Sequence, residues 1–178
     1  VTPEPDAVEH LLHDQLPQRA VENISLFHIP SNDTWARDHG PLCLLTEKGV
    51  RFMDFCFNGW GEKFPADLDN AITRRLWDAG AFQGEYEEHL DFVLEGGSIE
   101  SDGCGTLLTT SHCLMAPHRN EPLSQADIEQ RLLHFFHAQR VLWLDYGVLA
   151  GDDTDAHIDT LARFCSPETI AYVQCTDH

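Results

Sequence analysis

The chain has 178 residues, a formal net charge of −19 at pH 7 and a hydrophobic share of 42%. That share, with four Trp and ten Phe, is enough for a packed core and excludes a disordered chain. The negative charge excludes nucleic acids and anionic membrane surfaces as partners, because both require a basic face. A small cationic ligand is compatible with this charge, although a solvated acidic surface is the favoured explanation of the net charge.

The first half of the chain predicts alternating helices and strands. Helices are predicted where apolar side chains recur three or four positions apart, and strands where short apolar runs are bounded by turn residues. The predicted elements are a helix over 5–16, a strand over 24–29, a hairpin of strands over 42–46 and 51–57, and a helix over 68–77.

The second half predicts a similar order of elements. Ser124 and Asp127 have the spacing of a capping box, which is typical of the first turn of a helix. The predicted elements are an apolar run over 92–94, strands over 98–100 and 106–110, a helix over 124–136, and strands over 141–144, 161–165 and 170–174. The strand over 161–165 overlaps a strand-like apolar run over 158–164.

Acidic loops precede the strands at a regular interval. Asp38 and Glu95 are 57 residues apart, and Glu95 and His157 are 62 residues apart. A spacing of this size indicates structural repeats around a shared centre. An ordinary α+β domain explains the alternation of helices and hairpins equally well.

The six cysteines do not form a zinc motif, because none belongs to a C-x-x-C pair. We interpret them as buried free thiols of a reducing compartment and expect a cytoplasmic protein. No apolar run is long enough to cross a bilayer, and the N-terminal residues lack a signal-peptide pattern.

Residues 151–159 contain four carboxylates and one imidazole. Crowded like charges oppose folding, so this segment indicates a site for a metal or an organic cation. If a strand begins here, His157 and Asp159 point to the same face and suit an Asp–His pair acting on an organic substrate. A metal-dependent hydrolase is the alternative, with Asp152, Asp155, His157 and Asp159 as ligands.

Glu95 lies between an apolar run and two glycines, a setting that indicates a functional carboxylate. The structural alternative is a buried ion pair between Glu95 and Arg37. Both Trp35 and Trp60 are interpreted as core, which is usual for tryptophan. Trp60 lies in a Gly-flanked loop, so a pocket wall explains it equally well.

Several segments together resemble the agmatine deiminase and bacterial-type peptidylarginine deiminase family, of the guanidine-modifying (pentein) superfamily. The resemblance covers the chain from about residue 24 onward. In the family's order, the matching segments are NDTWARDHGP (32–41), FNGWGEKFP (57–65), FVLEGGSIESDGCGTLLTT (92–110), Arg119-Asn120 and GDDTDAHIDTLARF (151–164).

The resemblance implies an α/β propeller (pentein) built of five ββαβ-type modules, with about three of them in this chain. It implies hydrolysis of a guanidinium to a ureido group with release of ammonia, through a covalent cysteine intermediate and without metal or cofactor. The expected reaction converts agmatine to N-carbamoylputrescine, and free arginine or peptidylarginine are the alternative substrates.

By match to the family motifs, Asp38 and Asp159 would bind guanidinium nitrogens, and Glu95 would hold another as a catalytic residue. His157 would shuttle protons to the leaving ammonia and from the attacking water. The pocket near the alkyl chain and amine of the substrate would be shaped by Asp153, Trp35 and Trp60.

The chain departs from the family in two ways. None of its cysteines matches the Gly-rich nucleophile segment, so we expect residues 1–178 to be a partial domain that lacks this segment and an N-terminal part. We expect the isolated chain to be inactive, and aggregation-prone or oligomeric through exposed edges, while a non-catalytic cation-binding remnant is a further alternative. Ala156 replaces the Gly usual before the histidine, so a positive φ there would cost about 1 kcal/mol.

Overall fold

The computed structural model describes residues 1–174, in which short helices alternate with paired strands. The helices are α1 (Pro5–Gln15), α2 (Gln18–Val21), α3 (Ala36–His39), α4 (Gly59–Glu62), α5 (Ile72–Asp78), α6 (Ser111–Leu114) and α7 (Gln125–Phe135). The strands are β1 (Leu42–Thr46), β2 (Gly49–Cys56), β3 (Glu85–Val93), β4 (Ile99–Ser101), β5 (Thr106–Thr110), β6 (Arg140–Leu144), β7 (Ala162–Ser166) and β8 (Thr169–Tyr172). Single 3₁₀ turns lie at Asp69–Ala71, Gly96–Ser98 and Ile158–Thr160.

Two three-stranded sheets have the same topology. In the first, β1 pairs antiparallel with β2, which pairs parallel with β3. In the second, β4 pairs antiparallel with β5, which pairs parallel with β6. Each parallel pair is joined by a helical crossover, through α5 or α7, as parallel pairing requires. The mixed α/β class is therefore confirmed, and the repeated order of elements favours the repeat interpretation over an ordinary α+β domain.

Each repeated unit begins directly after one of the acidic loops. Asp38 lies in α3 just before β1, Glu95 precedes β4, and His157 precedes the β7–β8 hairpin. The turn Gly96–Ser98 contacts both α3 and the turn Ile158–Thr160. The three loops, distant in sequence, therefore meet at one place.

The main hydrophobic core is shared by both sheets and two helices. Full burial of an aliphatic or aromatic side chain contributes about 1.5–3 kcal/mol, so this cluster fixes the sheets against each other. The buried members of this core are Met53, Phe55, Phe92, Leu94, Ile99, Leu107, Leu114, Ile128 and Leu132.

The capping box of α7 is confirmed, since Ser124 Oγ accepts from the Asp127 amide and Asp127 accepts from the Ser124 amide.

Two predicted strand-like runs are wrong in extent. Residues 24–29 form only a single bridge, between His28 and Thr2, because no longer strand lies alongside them. The strand-like run over 158–164 becomes a strand only at Ala162, because Asp155 and Ala156 turn the chain with φ of 65° and 68° and a 3₁₀ turn follows.

Other boundaries differ in a similar way. The apolar run 92–94 is the end of β3, whose charged residues from Glu85 onward lie on an edge strand that solvent reaches. The helix predicted over 68–77 begins instead as the 3₁₀ turn Asp69–Ala71 and continues as α5.

The interpretation of the cysteines as buried thiols is wrong for three of the five that the structure describes. Cys113 is buried and Cys56 is half-buried, whereas Cys43, Cys104 and Cys165 are exposed. The sixth, Cys175, lies outside the described residues. Within residues 1–174, no helix combines the length and apolar character needed to cross a membrane.

Candidate functional site

A pocket of about 470 Å³ opens between the Asp38 loop, the Trp60 loop and the segment that carries His157. Its wall is strongly acidic, and the remainder includes aromatic side chains, His157 and one cationic side chain, Arg37. The carboxylates that line it belong to Asp33, Asp38, Asp152, Asp153 and Asp159, and the aromatic rings to Trp35, Trp60 and Phe64.

Asp38 is fixed in the pocket wall by two donors. It is buried, and its Oδ2 accepts from the indole nitrogen of Trp60 at 2.9 Å. Its Oδ1 accepts from the backbone N–H of Gly97 at 3.0 Å. These bonds hold the carboxylate oxygens in place before any ligand arrives, which lowers the cost of ordering them on binding.

Gly97 forms the floor on which the functional groups converge. A methyl group added at its Cα would lie 2.5 Å from His157 Nδ1, 2.7 Å from Asp38 Oδ1 and 2.8 Å from Asp159 Oδ2. Three atoms from two loops therefore surround one point beside Gly97, and only glycine leaves room for them.

His157 is buried beside Asp38, with its Nδ1 3.6 Å from Asp38 Oδ1. Its Nε2 is also buried and has no hydrogen-bond partner within the described residues. A buried ring nitrogen without a partner is costly and indicates that a ligand or water completes the site. This imidazole can therefore accept or donate a proton inside the pocket.

Asp159 is half-buried, and its pKa is raised above that of an ordinary aspartate. Burial is the main cause, and repulsion from Asp38 adds to it, whereas the nearby His157 opposes the shift. Two carboxylates that approach each other disfavour ionisation, and Arg37 and Arg163 offset this only in part. A cation between Asp38 and Asp159 would remove that penalty.

The segment that carries His157 has a strained backbone. Asp155 and Ala156 both have left-handed φ, so the positive φ considered for Ala156 is present. Asp152 stabilises the turn by accepting from the amides of Thr154 at 2.8 Å and Ala156 at 2.7 Å. Burial raises the pKa of Asp152, but the bonds from Thr154 and Ala156 outweigh it and lower the pKa overall.

Glu95 lies behind the pocket and forms an ion pair. Its oxygens accept from Arg119 Nε at 3.1 and 3.2 Å, and both side chains are fully buried. The expected pairing with Arg37 is wrong, because Arg37 donates to the carbonyl of Ile99. Polar atoms of Glu95 and His157 still lie within 4.8 Å of each other.

The remaining predicted residues lie around the opening. Trp60 is both core and pocket wall, since its buried ring packs against Phe57 while it lines the pocket. Trp35 is 59% exposed and lines the pocket, as does the exposed Asp153. Six of the seven predicted site residues therefore line one pocket, and Glu95 alone lies outside its lining.

Sequence reasoning missed the role of Arg119. The resemblance included Arg119-Asn120 without assigning a function to either residue. A buried Glu requires a cationic partner, and this was the signal available in the sequence. The sequence does not decide whether Arg37 or Arg119 is this partner, because the choice depends on how the loops pack.

The four-ligand metal hypothesis does not match the structure. Asp155 is held by Lys63 and Arg119, while Asp152 accepts from backbone amides. Within residues 1–174, the one group of three metal-binding side chains that converges consists of Glu95, Cys113 and His157. This group is a poor metal site for two reasons. Glu95 is already bound by Arg119. Burial, and then the negative charge of Glu95, raise the pKa of the Cys113 thiol, which disfavours the thiolate that a metal requires.

Comparison with known proteins identifies close relatives. Residues 2–178 match the family model described as Porphyromonas-type peptidyl-arginine deiminase. A candidate agmatine deiminase 2 of Listeria monocytogenes is 40% identical over 152 residues, which covers 82% of this chain and 40% of that protein.

Solved structures agree in fold. A candidate arginine deiminase from Porphyromonas gingivalis has a TM-score of 0.90 and 50% identity, covering 97% of this chain and 51% of that one. A C. jejuni agmatine deiminase with substrate bound has a TM-score of 0.83 and 42% identity, covering 89% of this chain and 47% of that one. The chain thus spans about half the length of these proteins.

Proposed function

Because the chain belongs to the Porphyromonas-type peptidyl-arginine deiminase family, we propose that its pocket binds a guanidinium and that the protein containing it hydrolyses agmatine. The observation that carries the proposal is the convergence of Asp38, Asp159 and His157 above Gly97. A guanidinium is planar, stays charged and offers five donors, so it pairs best with carboxylates on two sides.

The fixed carboxylates suit the two faces of such a cation. Asp38 and Asp159 accept from its nitrogens and hold its carbon next to His157. Glu95, within 4.8 Å of the histidine, stabilises the protonated ring from behind the pocket. Entry of the cation also favours the ionised form of Asp159, whose pKa is raised in the free pocket.

The chemical step requires a nucleophile. A cysteine thiolate attacks the guanidinium carbon, and ammonia leaves with a proton from His157. Water, deprotonated by His157, then attacks the amidino-thioether, which releases the ureido product and regenerates the thiol. Within residues 1–174 no cysteine lines the pocket, so we assign the nucleophile to another part of a longer protein and expect this chain alone to be inactive.

The acidic opening favours a substrate with a cationic tail. Asp33, Asp152 and Asp153 line the pocket beyond the guanidinium-binding residues. They attract the terminal amine of agmatine and repel the α-carboxylate of free arginine. The exposed Trp35 packs along the alkyl chain, and a peptidylarginine remains the alternative substrate.

The wider assembly follows from the same family. We assign the repeated ββαβ units to a five-module propeller, of which this chain supplies about three. Contacts between copies and the cytoplasmic location expected from the sequence stay predictions.

Activity of a longer protein containing this chain tests the proposal. Ammonia release from agmatine, with free arginine and a peptidylarginine compared in parallel, identifies the substrate. The His157→Ala variant should lose turnover, while Asp91→Asn, an exposed charge away from the pocket, should retain it. Agmatine binding without turnover would favour the non-catalytic alternative, and metal-dependent release from another substrate would favour the metal hydrolase.

A further inference from the structure

A second guanidinium site lies behind the pocket, and the protein fills it with its own Arg119. We call it the inner cage: the carboxylates of Glu95 and Asp155 and the carbonyl of Thr154. Arg119 donates through Nε to Glu95, through Nη1 to Asp155 Oδ2 at 2.6 Å, and through Nη2 to the Thr154 carbonyl at 2.9 Å. Its side chain is fully buried. All three kinds of nitrogen in the guanidinium therefore have acceptors.

The inner cage connects both loops that flank the pocket. A Cβ on Gly61, next to Trp60, would lie 3.1 Å from Arg119 Nη1, so this backbone packs directly on the guanidinium. From the same loop, Lys63 Nζ donates to Asp155 Oδ2 and to the Asp153 carbonyl, both at 2.7 Å. Arg119 and Lys63 thereby join the Trp60 loop to the segment that precedes His157.

Thr154 connects Arg119 to His157 through two hydrogen bonds. Its carbonyl accepts from Arg119, and its hydroxyl oxygen accepts from the His157 amide at 3.1 Å. Between them, Asp155 and Ala156 have left-handed backbone that non-glycine residues adopt at a cost. Such strain persists only where the surroundings hold it in place.

We propose that Arg119 is a positioning residue that fixes the 152–157 segment and so sets the His157 ring against Asp38. The benefit of this positioning rests on the proposed function, but the hydrogen bonds of Arg119 and the backbone of the 152–157 segment are present without any ligand. Lysine keeps the charge of Arg119 but has one compact ammonium group, which cannot reproduce the planar fork that reaches two carboxylates and a carbonyl.

Amide hydrogen exchange on the ligand-free chain tests this role, with Arg119→Lys compared against Arg51→Lys. Arg51 also bridges two carboxylates, Glu85 and Glu87, but lies away from the pocket. In Arg119→Lys, the amides of Ala156 and His157 should exchange about tenfold faster or more, and the buried Leu132 amide of α7 should change much less. Arg51→Lys should leave the ratio of the Ala156 and His157 exchange rates to the Leu132 exchange rate unchanged.

A merely structural role gives a different result, because global destabilisation accelerates the loop and core amides by the same factor. Equal acceleration, or none at the loop, overturns the proposal. If Arg119→Lys does not fold, Asp155→Asn decides in the same way, since Asn tolerates the left-handed backbone at this position.

Agmatine affinity provides the second readout. Arg119→Lys should weaken agmatine binding by about tenfold in calorimetry at a temperature where the variant is folded. Unchanged affinity overturns the link from Arg119 to the pocket. If the unmodified chain binds no agmatine, the proposed function fails, whereas the exchange experiment still decides the positioning role.

Discussion

The inner cage and the pocket are two acidic sites, of which the first is paired with Arg119 and the second is the proposed site of an external guanidinium. In the inner cage, burial raises the pKa of Asp155, but the bonds from Lys63 and Arg119 outweigh it and lower the pKa overall. In the pocket, Asp159 approaches Asp38 without a paired cation, and its pKa is raised. The comparison shows what a guanidinium does for carboxylates that share a site: it lets them remain ionised.

The difference also separates two tasks. The inner cage is filled permanently and holds the loops, so its loss should disturb geometry. The carboxylates of the pocket are those that we propose bind an external cation, so changes to them should weaken ligand binding. The first three predictions below alter the pocket and leave the inner cage in place, and the fourth tests the backbone of the segment that joins them.

The largest effect is expected for Gly97→Ala. Its new methyl group would lie within 2.8 Å of atoms of His157, Asp38 and Asp159, so at least one of them must move out of the pocket. Agmatine affinity should fall by more than about a hundredfold in calorimetry. Gly103→Ala is the control, because its methyl group meets no atom within 4 Å. If the two variants bind agmatine equally, Gly97 is not the floor of the site.

A smaller loss is expected for Asp38→Asn. The amide keeps the volume of the side chain and can still accept from Trp60, but it removes one charge from the guanidinium site. A charge-assisted hydrogen bond contributes about 1.5–3 kcal/mol, so affinity should fall roughly 10- to 150-fold. Calorimetry measures the loss, with Asp91→Asn as the charge-matched control. Retained affinity would remove Asp38 from the binding residues.

Acidic pH should also weaken the pocket. Because the folded pKa of Asp159 is raised, protonation begins at a higher pH than for an ordinary aspartate, whose pKa is 3.8. The protonated form cannot pair with a cation, so agmatine binding is full above the raised pKa and is lost as the pH falls through it, by up to about tenfold per pH unit. Asp155 has a lowered pKa, so the inner cage persists in the same range. An affinity whose pH dependence is the same in Asp159→Asn would assign the effect to another group.

The smallest effect is expected for Ala156→Gly. Glycine adopts the left-handed backbone at this position without strain, but it loses more entropy on folding, so the free energy of unfolding should rise by roughly 0.5 kcal/mol. Urea denaturation measures this change, and Ala79→Gly, at a position with ordinary φ, should have the opposite sign. Stabilisation of both variants, or of neither, would show that strain at Ala156 is not relieved.

Much of the fold could be predicted from local pattern. The capping box at Ser124 and the hairpin at β1–β2 depend on neighbouring residues, so the sequence alone identifies them. The edge strand β3 carries charges that conceal its strand character, and the run at 24–29 has strand composition without a partner strand. Strand pairing depends on distant residues, which a local pattern does not contain.

The residues of the site could also be predicted where the signal is local, but not where it depends on how the loops pack. The acidic segment and its histidine are local features, and the family motifs relate them to Asp38 and Trp60. The partner of Glu95 was not predictable, because the choice between Arg37 and Arg119 depends on how three loops pack. The positive φ of Ala156 was indicated by the family motif, which usually has Gly at this position, whereas the left-handed φ of Asp155 was not predicted.

The most direct test of the guanidinium pocket is calorimetry of this chain with agmatine and with N-carbamoylputrescine, its neutral ureido counterpart. The two molecules share the alkyl chain and the terminal amine and differ at the group placed between Asp38 and Asp159. The account predicts that agmatine binds, that the ureido compound binds at least about tenfold more weakly, and that Asp159→Asn removes most of this preference. Equal binding of the two compounds, or binding of neither, would contradict it.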